Sequence, residues 1–141
     1  MPFSRRDLAL LLPALTAASA APQDQKKALP SKVFVFEDLA VKVNGQNKSR
    51  AVLNGEQQSG FAVELHITEL GPGQAPHAPH QHVHEEIVML RSGQLDVTIS
   101  GQTTRATAGS VIYVASGELH GSRNPGPDPA IYFVMTLGRD S

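Results

Sequence analysis

His80, His82, Glu86 and His120 are the residues whose types and spacing could do chemistry in this chain. On an extended strand, side chains two apart project from the same face, so His80 and His82 converge on one side. Glu86 lies four residues beyond His82, so it keeps that parity or sits on the next strand after a tight bend. Two imidazoles and a carboxylate facing inward supply three of the ligands that a borderline divalent ion accepts. His120, in a Gly-rich loop just after another strand pattern, is placed to supply a fourth. The chain has no cysteine, which removes a thiolate zinc site, a disulfide scaffold and a thiol nucleophile together. Any resident ion is therefore held by imidazole nitrogen and carboxylate oxygen. Histidine-rich loops also occur as plain solvated surface, and at this level that reading stands beside the metal one.

The other candidates carry weaker signals. His77 sits between Pro76 and Pro79 and reads as loop-exposed. His84 matches no ligand position and reads as a neighbour of the ligands or a rim residue. His66 lies on the polar face of its strand and reads as surface or edge. Glu85 has the opposite parity to Glu86 and points away. Arg123 reads as a surface charge that could meet an anionic ligand at a mouth. Tyr113 and Tyr132 read as core or interface.

Short strands must position these residues. The segment 33–37 is rich in Val and Phe, and Leu39, Val41 and Val43 alternate with polar residues up to Asn44-Gly45, a hairpin signal. Asn54-Gly55 reads as another turn. Phe61, Val63, Leu65 and Ile67 alternate with Ala62, Glu64, His66 and Thr68, the period of a half-buried strand. Gly71-Pro72-Gly73 breaks it. Further strands are expected at 87–90, closed by Ser92-Gly93, at 94–100, at 103–107 and at 111–114. A Gly/Pro-rich loop is expected over 116–129 and a last strand over 130–137. No helical periodicity stands out after the first twenty residues. Many short strands separated by turns argue a sandwich or barrel. The strands at 87–90, 111–114 and 131–135 are apolar on both faces, which favours a homodimer over a monomeric two-layer sandwich.

The spacing of these residues resembles the cupin family. That family's first motif is G-x5-H-x-H-x3,4-E-x6-G, and this chain has His80-x-His82-x3-Glu86-x6-Gly93. The second is G-x5-P-x-G-x2-H-x3-N, and this chain has Gly109-x5-Ala115-x-Gly117-x2-His120-x3-Asn124. The fifteen residues 94–108 separate the motifs, a short link like those of compact single-domain bacterial cupins. Two departures stand out. Gly73 precedes His80 by six intervening residues, and Ala115 replaces the usual proline. Neither touches a ligand position. The resemblance implies an all-β fold, an antiparallel jelly-roll β-barrel, with His80, His82, Glu86 and His120 as ligands of a divalent metal ion inside it. Mn, Fe, Zn, Cu and Ni all suit such a site.

Composition sets the remaining bounds. With 141 residues, 40% hydrophobic and 18% charged, the chain is an ordinary globular length and balance. A net charge of −1 offers no basic field for nucleic acid. Residues 1–20 read as a signal peptide. Ser4-Arg5-Arg6 resembles a twin-arginine motif, 8–18 is apolar, and Ala18-Ser19-Ala20 suits cleavage. The apolar run is too short to span a bilayer, which needs about 20 residues, so no stable membrane anchor is expected. Residues 21–31 read as a mobile linker and 32–138 as the barrel. The expected protein is exported to the periplasm and binds a small molecule. It is a metal-dependent enzyme, dioxygenase- or isomerase-like, on a small oxygenated compound such as a phenolic, keto acid or sugar. The alternative is a non-catalytic barrel that binds a small molecule or carbohydrate.

Overall fold

A computed structural model describes residues 28–139, so the expected signal peptide and most of the expected linker lie outside the described residues. The described chain contains nine strands and a single 3-10 turn, Phe36–Asp38. The strands are β1 (Lys42–Asn44), β2 (Asn47–Glu56), β3 (Ala62–Leu70), β4 (Glu85–Ser92) and β5 (Gln94–Ile99). They continue as β6 (Gln102–Thr107), β7 (Val111–Val114), β8 (His120–Arg123) and β9 (Ala130–Leu137). Six form one sheet in the order β1-β2-β3-β9-β4-β7, and three form a second in the order β6-β5-β8. Every pairing is antiparallel.

The two sheets face each other across one core. Leu70, Val88, Leu90, Ala130, Tyr132 and Val134 come from the larger sheet, and Leu95, Val97 and Ala106 from the smaller. Leu70 and Leu95 are fully buried, each contributing roughly 1.5–3 kcal/mol of transfer free energy. The strand alternation decides which residues meet there. On β4, Val88 and Leu90 turn inward while Ile87 and Met89 are half-buried on the outer face. Gly93 closes β4 at φ +79, and a Cβ there would lie 2.5 Å from the Pro129 carbonyl oxygen. Only glycine fits that crossing, which accounts for the last position of the first motif.

Three local readings of the sequence need correction. Asn54-Gly55 is no turn; both residues lie inside β2, which pairs along β3 with a bulge between Ala51 and Leu53. The chain reverses instead over 57–60, where the Gln57 amide donates to the Phe61 carbonyl and the Gly60 amide to that of Gln57. The segment 33–37 is no strand. It runs outside both sheets, with Val33 and Val35 exposed, and turns at Phe36. The expected loop over 116–129 contains β8, which pairs with β5. By contrast, the Asn44-Gly45 signal holds: Asn44 pairs with Asn47, and Gly45 takes φ +59 in the two-residue turn between them.

Candidate metal centre and cavity

The two motif loops are tied to each other by their backbones before any side chain is considered. The His80 amide donates to the His120 carbonyl and the His120 amide to the His80 carbonyl, both at 2.9 Å. The Gly117 amide donates to the His82 carbonyl at 2.8 Å. Gly117 has φ +76, a conformation that glycine adopts without strain. This pins residues 80–82 against the start of β8. Glu86 then enters from the second residue of β4, opposite Val114 and Thr136.

This scaffold gathers three imidazoles. Ring centroids lie 5.1 Å apart for His80 and His82, 4.7 Å for His80 and His120, and 4.8 Å for His82 and His120. One ligand atom from each falls within 4.8 Å of the others. His82 Nδ1 lies 2.7 Å from the His84 carbonyl, and His120 Nδ1 lies 2.9 Å from the Glu118 carbonyl. A carbonyl only accepts, so each Nδ1 carries the proton and each Nε2 keeps its lone pair. Those two Nε2 atoms and His80 Nδ1 are buried without a hydrogen-bond partner. Glu86 joins the group through His82, with Oε2 3.5 Å from His82 Nε2. Burial holds the His80 imidazole below its ordinary pKa, and the neighbouring His77, His120 and His82 rings lower it further against the opposing pull of Glu86. The neutral ring, the form that binds metal, is thereby favoured.

The other histidines sit closer to this group than their sequence positions suggest. His84 stacks on His82 with centroids 3.7 Å apart, and His82, His84 and Glu86 form a second grouping of donor atoms. His77 is exposed, as expected, yet its ring meets His80 edge-on at 4.1 Å and lines the cavity behind the cluster. Arg123 is exposed and its Nε donates to the Gly73 carbonyl at 3.3 Å.

That cavity measures about 170 Å³. Val88, Leu95, Val97, Ile112, Val114 and Val134 form its apolar walls, while Glu86, His120, Ser122, Thr68, Tyr132 and His66 supply its polar groups. His66 is therefore no edge residue, since β3 lies between β2 and β9, and its side chain, 33% exposed, lines the cavity as well as meeting the surface expected of it. Assigning the apolar residues of β3 to the core presumes one buried face. Here Ile67 is buried on the outer face, and the inner face carries His66 and Thr68 into the cavity. Tyr132 is 3% exposed and its hydroxyl has no hydrogen-bond partner. The Ser122 and Thr68 hydroxyls act on it from nearby. Burial pushes the Tyr132 phenol up to about 12, the two hydroxyls opposing it.

Comparison with known proteins places this architecture. The model of the cupin domain matches residues 66–136, half of the chain. An RmlC-like cupin from Shewanella frigidimarina superposes with a TM-score of 0.64 at 20% identity, covering 77% of this chain and 93% of its own. KdgF from Halomonas superposes at 0.66 and 18% identity, over 79% and 97%. The polyketide cyclase RemF from Streptomyces resistomycificus does so at 0.66 and 16% identity, over 78% and 81%. At these identities the likeness establishes the fold alone. No curated protein matches the chain at a significant level. With facing antiparallel sheets, both motifs in register and the domain model matched, the chain belongs to the cupin family.

Proposed function

We propose that His80, His82, His120 and Glu86 hold one divalent metal ion, drawn from Mn, Fe, Zn, Cu and Ni. On this reading the protein is an exported metal-dependent enzyme, dioxygenase- or isomerase-like, acting on a small oxygenated molecule. The observation that carries it is the trio of buried ring nitrogens without partners in one cluster. Leaving a buried polar atom unmatched costs about 1–3 kcal/mol, and three together are best accounted for by an ion that they share. When bound, such an ion polarises a substrate oxygen or offers a site for O₂. The chain's own residues do the rest. The His84 and Glu118 carbonyls fix the ring tautomers, Glu86 brings negative charge to the cluster, and the apolar walls give a ligand a surface to pack against. A polyketide cyclase among the structural relatives lends support to chemistry on this fold. Export is supported by Arg5-Arg6 and the apolar run behind them.

Elemental analysis of protein recovered from the native periplasm tests this reading. One metal ion per chain is expected, on a mature chain beginning near residue 21. His82→Ala is expected to lower metal affinity at least about tenfold, and acidification to about pH 4 to release the ion as the ligands protonate. Metal retained at that pH, or unaffected by His82→Ala, would sink the assignment. Stoichiometric ligand binding with neither turnover nor O₂ uptake would assign a binding barrel instead.

A further inference from the structure

We infer that the cavity behind the histidine cluster takes a single-ring hydroxyaromatic compound, whose hydroxyl bonds to both His66 and Tyr132. The inference rests on the reading of cluster and cavity as one ligand site. Size comes first. The cavity measures about 170 Å³, and an apolar protein void of about 150 Å³ is enough to admit benzene. The walls come second. Valine, leucine and isoleucine side chains form their apolar part, against which a flat ring needs only contact, while a sugar, with hydroxyls all round its ring, would press some of them there without a partner.

The polar end then selects the hydroxyl. Tyr132 is buried and its hydroxyl lacks a partner. A buried donor in that condition, with the Ser122 and Thr68 hydroxyls beside it, is open to a ligand hydroxyl. His66 is fixed from behind, because its Nδ1 lies 3.0 and 3.1 Å from the two carboxylate oxygens of Glu64. A carboxylate only accepts, so His66 Nδ1 carries the proton, and in the neutral ring Nε2 is left as an acceptor. A phenolic O–H donates to His66 Nε2 and accepts from the Tyr132 hydroxyl. The two strands that carry these residues are adjacent, with Thr68 of β3 opposite Tyr132 of β9. Glu86, which lines the same cavity, enters it from β4 on the other side of β9. Glu64 acts through His66 and is a positioning residue.

Phenol titrated into the full chain, with zinc added and again after chelation, tests this. Methyl resonances of Leu95, Ile112 and Val134 report binding by NMR. Saturable shifts are expected with phenol and none with glucose. His66→Leu and Tyr132→Phe are each expected to weaken phenol binding about tenfold. Glu64→Gln is expected to weaken it less and to change the His66 tautomer population, read from its ring nitrogen shifts. A merely structural Glu64 would leave the tautomer alone. Unmoved methyls, glucose displacing phenol, or wild-type affinity in both His66→Leu and Tyr132→Phe overturns the inference. Metal stoichiometry, with each candidate ion added in turn, separates the two readings. Phenol bound by chains that take up none of zinc, manganese, iron, copper and nickel overturns the metal assignment and leaves this one standing.

Discussion

Asn124 lies four residues beyond His120 and does its work through hydrogen bonds alone. Its side-chain amide donates to the Leu70 carbonyl at 2.9 Å and the Asp128 carbonyl at 2.8 Å, and its Oδ1 accepts from the Gly126 amide at 2.8 Å. It is wholly buried, so it ties the end of β8 to the end of β3 and to the loop that leads into β9. Asn124→Ala would strand two carbonyls and an amide in the interior. A loss of about 2–4 kcal/mol is expected in urea unfolding, with metal uptake per folded chain unchanged; wild-type stability would contradict the role. Gly93 and Gly117 answer to backbones that glycine follows without strain, but His80 and His82 lie in the loop before β4 rather than on one strand with Glu86, so their spacing was legible and the strand parity read from it was not borne out. The cavity-lining place of His66 was not legible either, because its neighbours in sequence look the same whether a polar strand face meets water or a cavity. Telling those apart requires knowing that the outer face is covered too.

At the level of elements, legibility followed hydrophobic alternation. β3, β5 and β9 carry it and were readable within a residue or two. β2 does not, since its sequence is mostly polar and holds an Asn-Gly pair that elsewhere turns the chain. β8 is four residues long and is defined by its pairing with β5 rather than by composition. The segment 33–37 failed the other way. Its Val and Phe content suits a strand, but it has no neighbouring strand to pair with, and Phe36 instead docks between two guanidiniums. The Arg50 and Arg91 side chains lie 4.4 and 5.3 Å from its ring centroid. These arginines stand on β2 and β4, with β3 and β9 between them, so the ring sits where their side chains reach towards each other from those strands. Upstream, the Leu29 amide donates to the Glu56 carbonyl at 2.8 Å. Phe36→Ala removes two cation–π contacts worth about 0.5–1 kcal/mol each along with the ring's own contact area. Faster hydrogen exchange is expected at the Asp38 and Leu39 amides, which close the 3-10 turn, while β9 amides stay protected. Unchanged exchange at both would show that Phe36 does not hold the segment.

Over the whole molecule, the inner faces of the sheets account for the core and cavity, and the outer face of the larger sheet remains to be explained. Phe36 lies over part of it. Towards the β7 edge the surface stays apolar: Val111 is 67% exposed and Tyr113 58%, and their partners on β4 are Met89 and Ile87. Apolar residues on adjacent strands, facing out and next to a sheet edge, form the kind of patch that soluble proteins cover. A second copy of the chain is the expected cover. A net charge of −1 sets up little repulsion between copies, and a two-fold axis would lay the same patch against itself. Sedimentation at micromolar concentration is expected to give a dimer. Tyr113→Lys would place two like charges near the axis of that interface and is expected to give a folded monomer with an unchanged circular dichroism spectrum. A monomeric wild type would remove the dimer. A dimer that survives Tyr113→Lys would move the interface to the opposite edge, where Val41 and Val43 are 49% and 65% exposed beside β1.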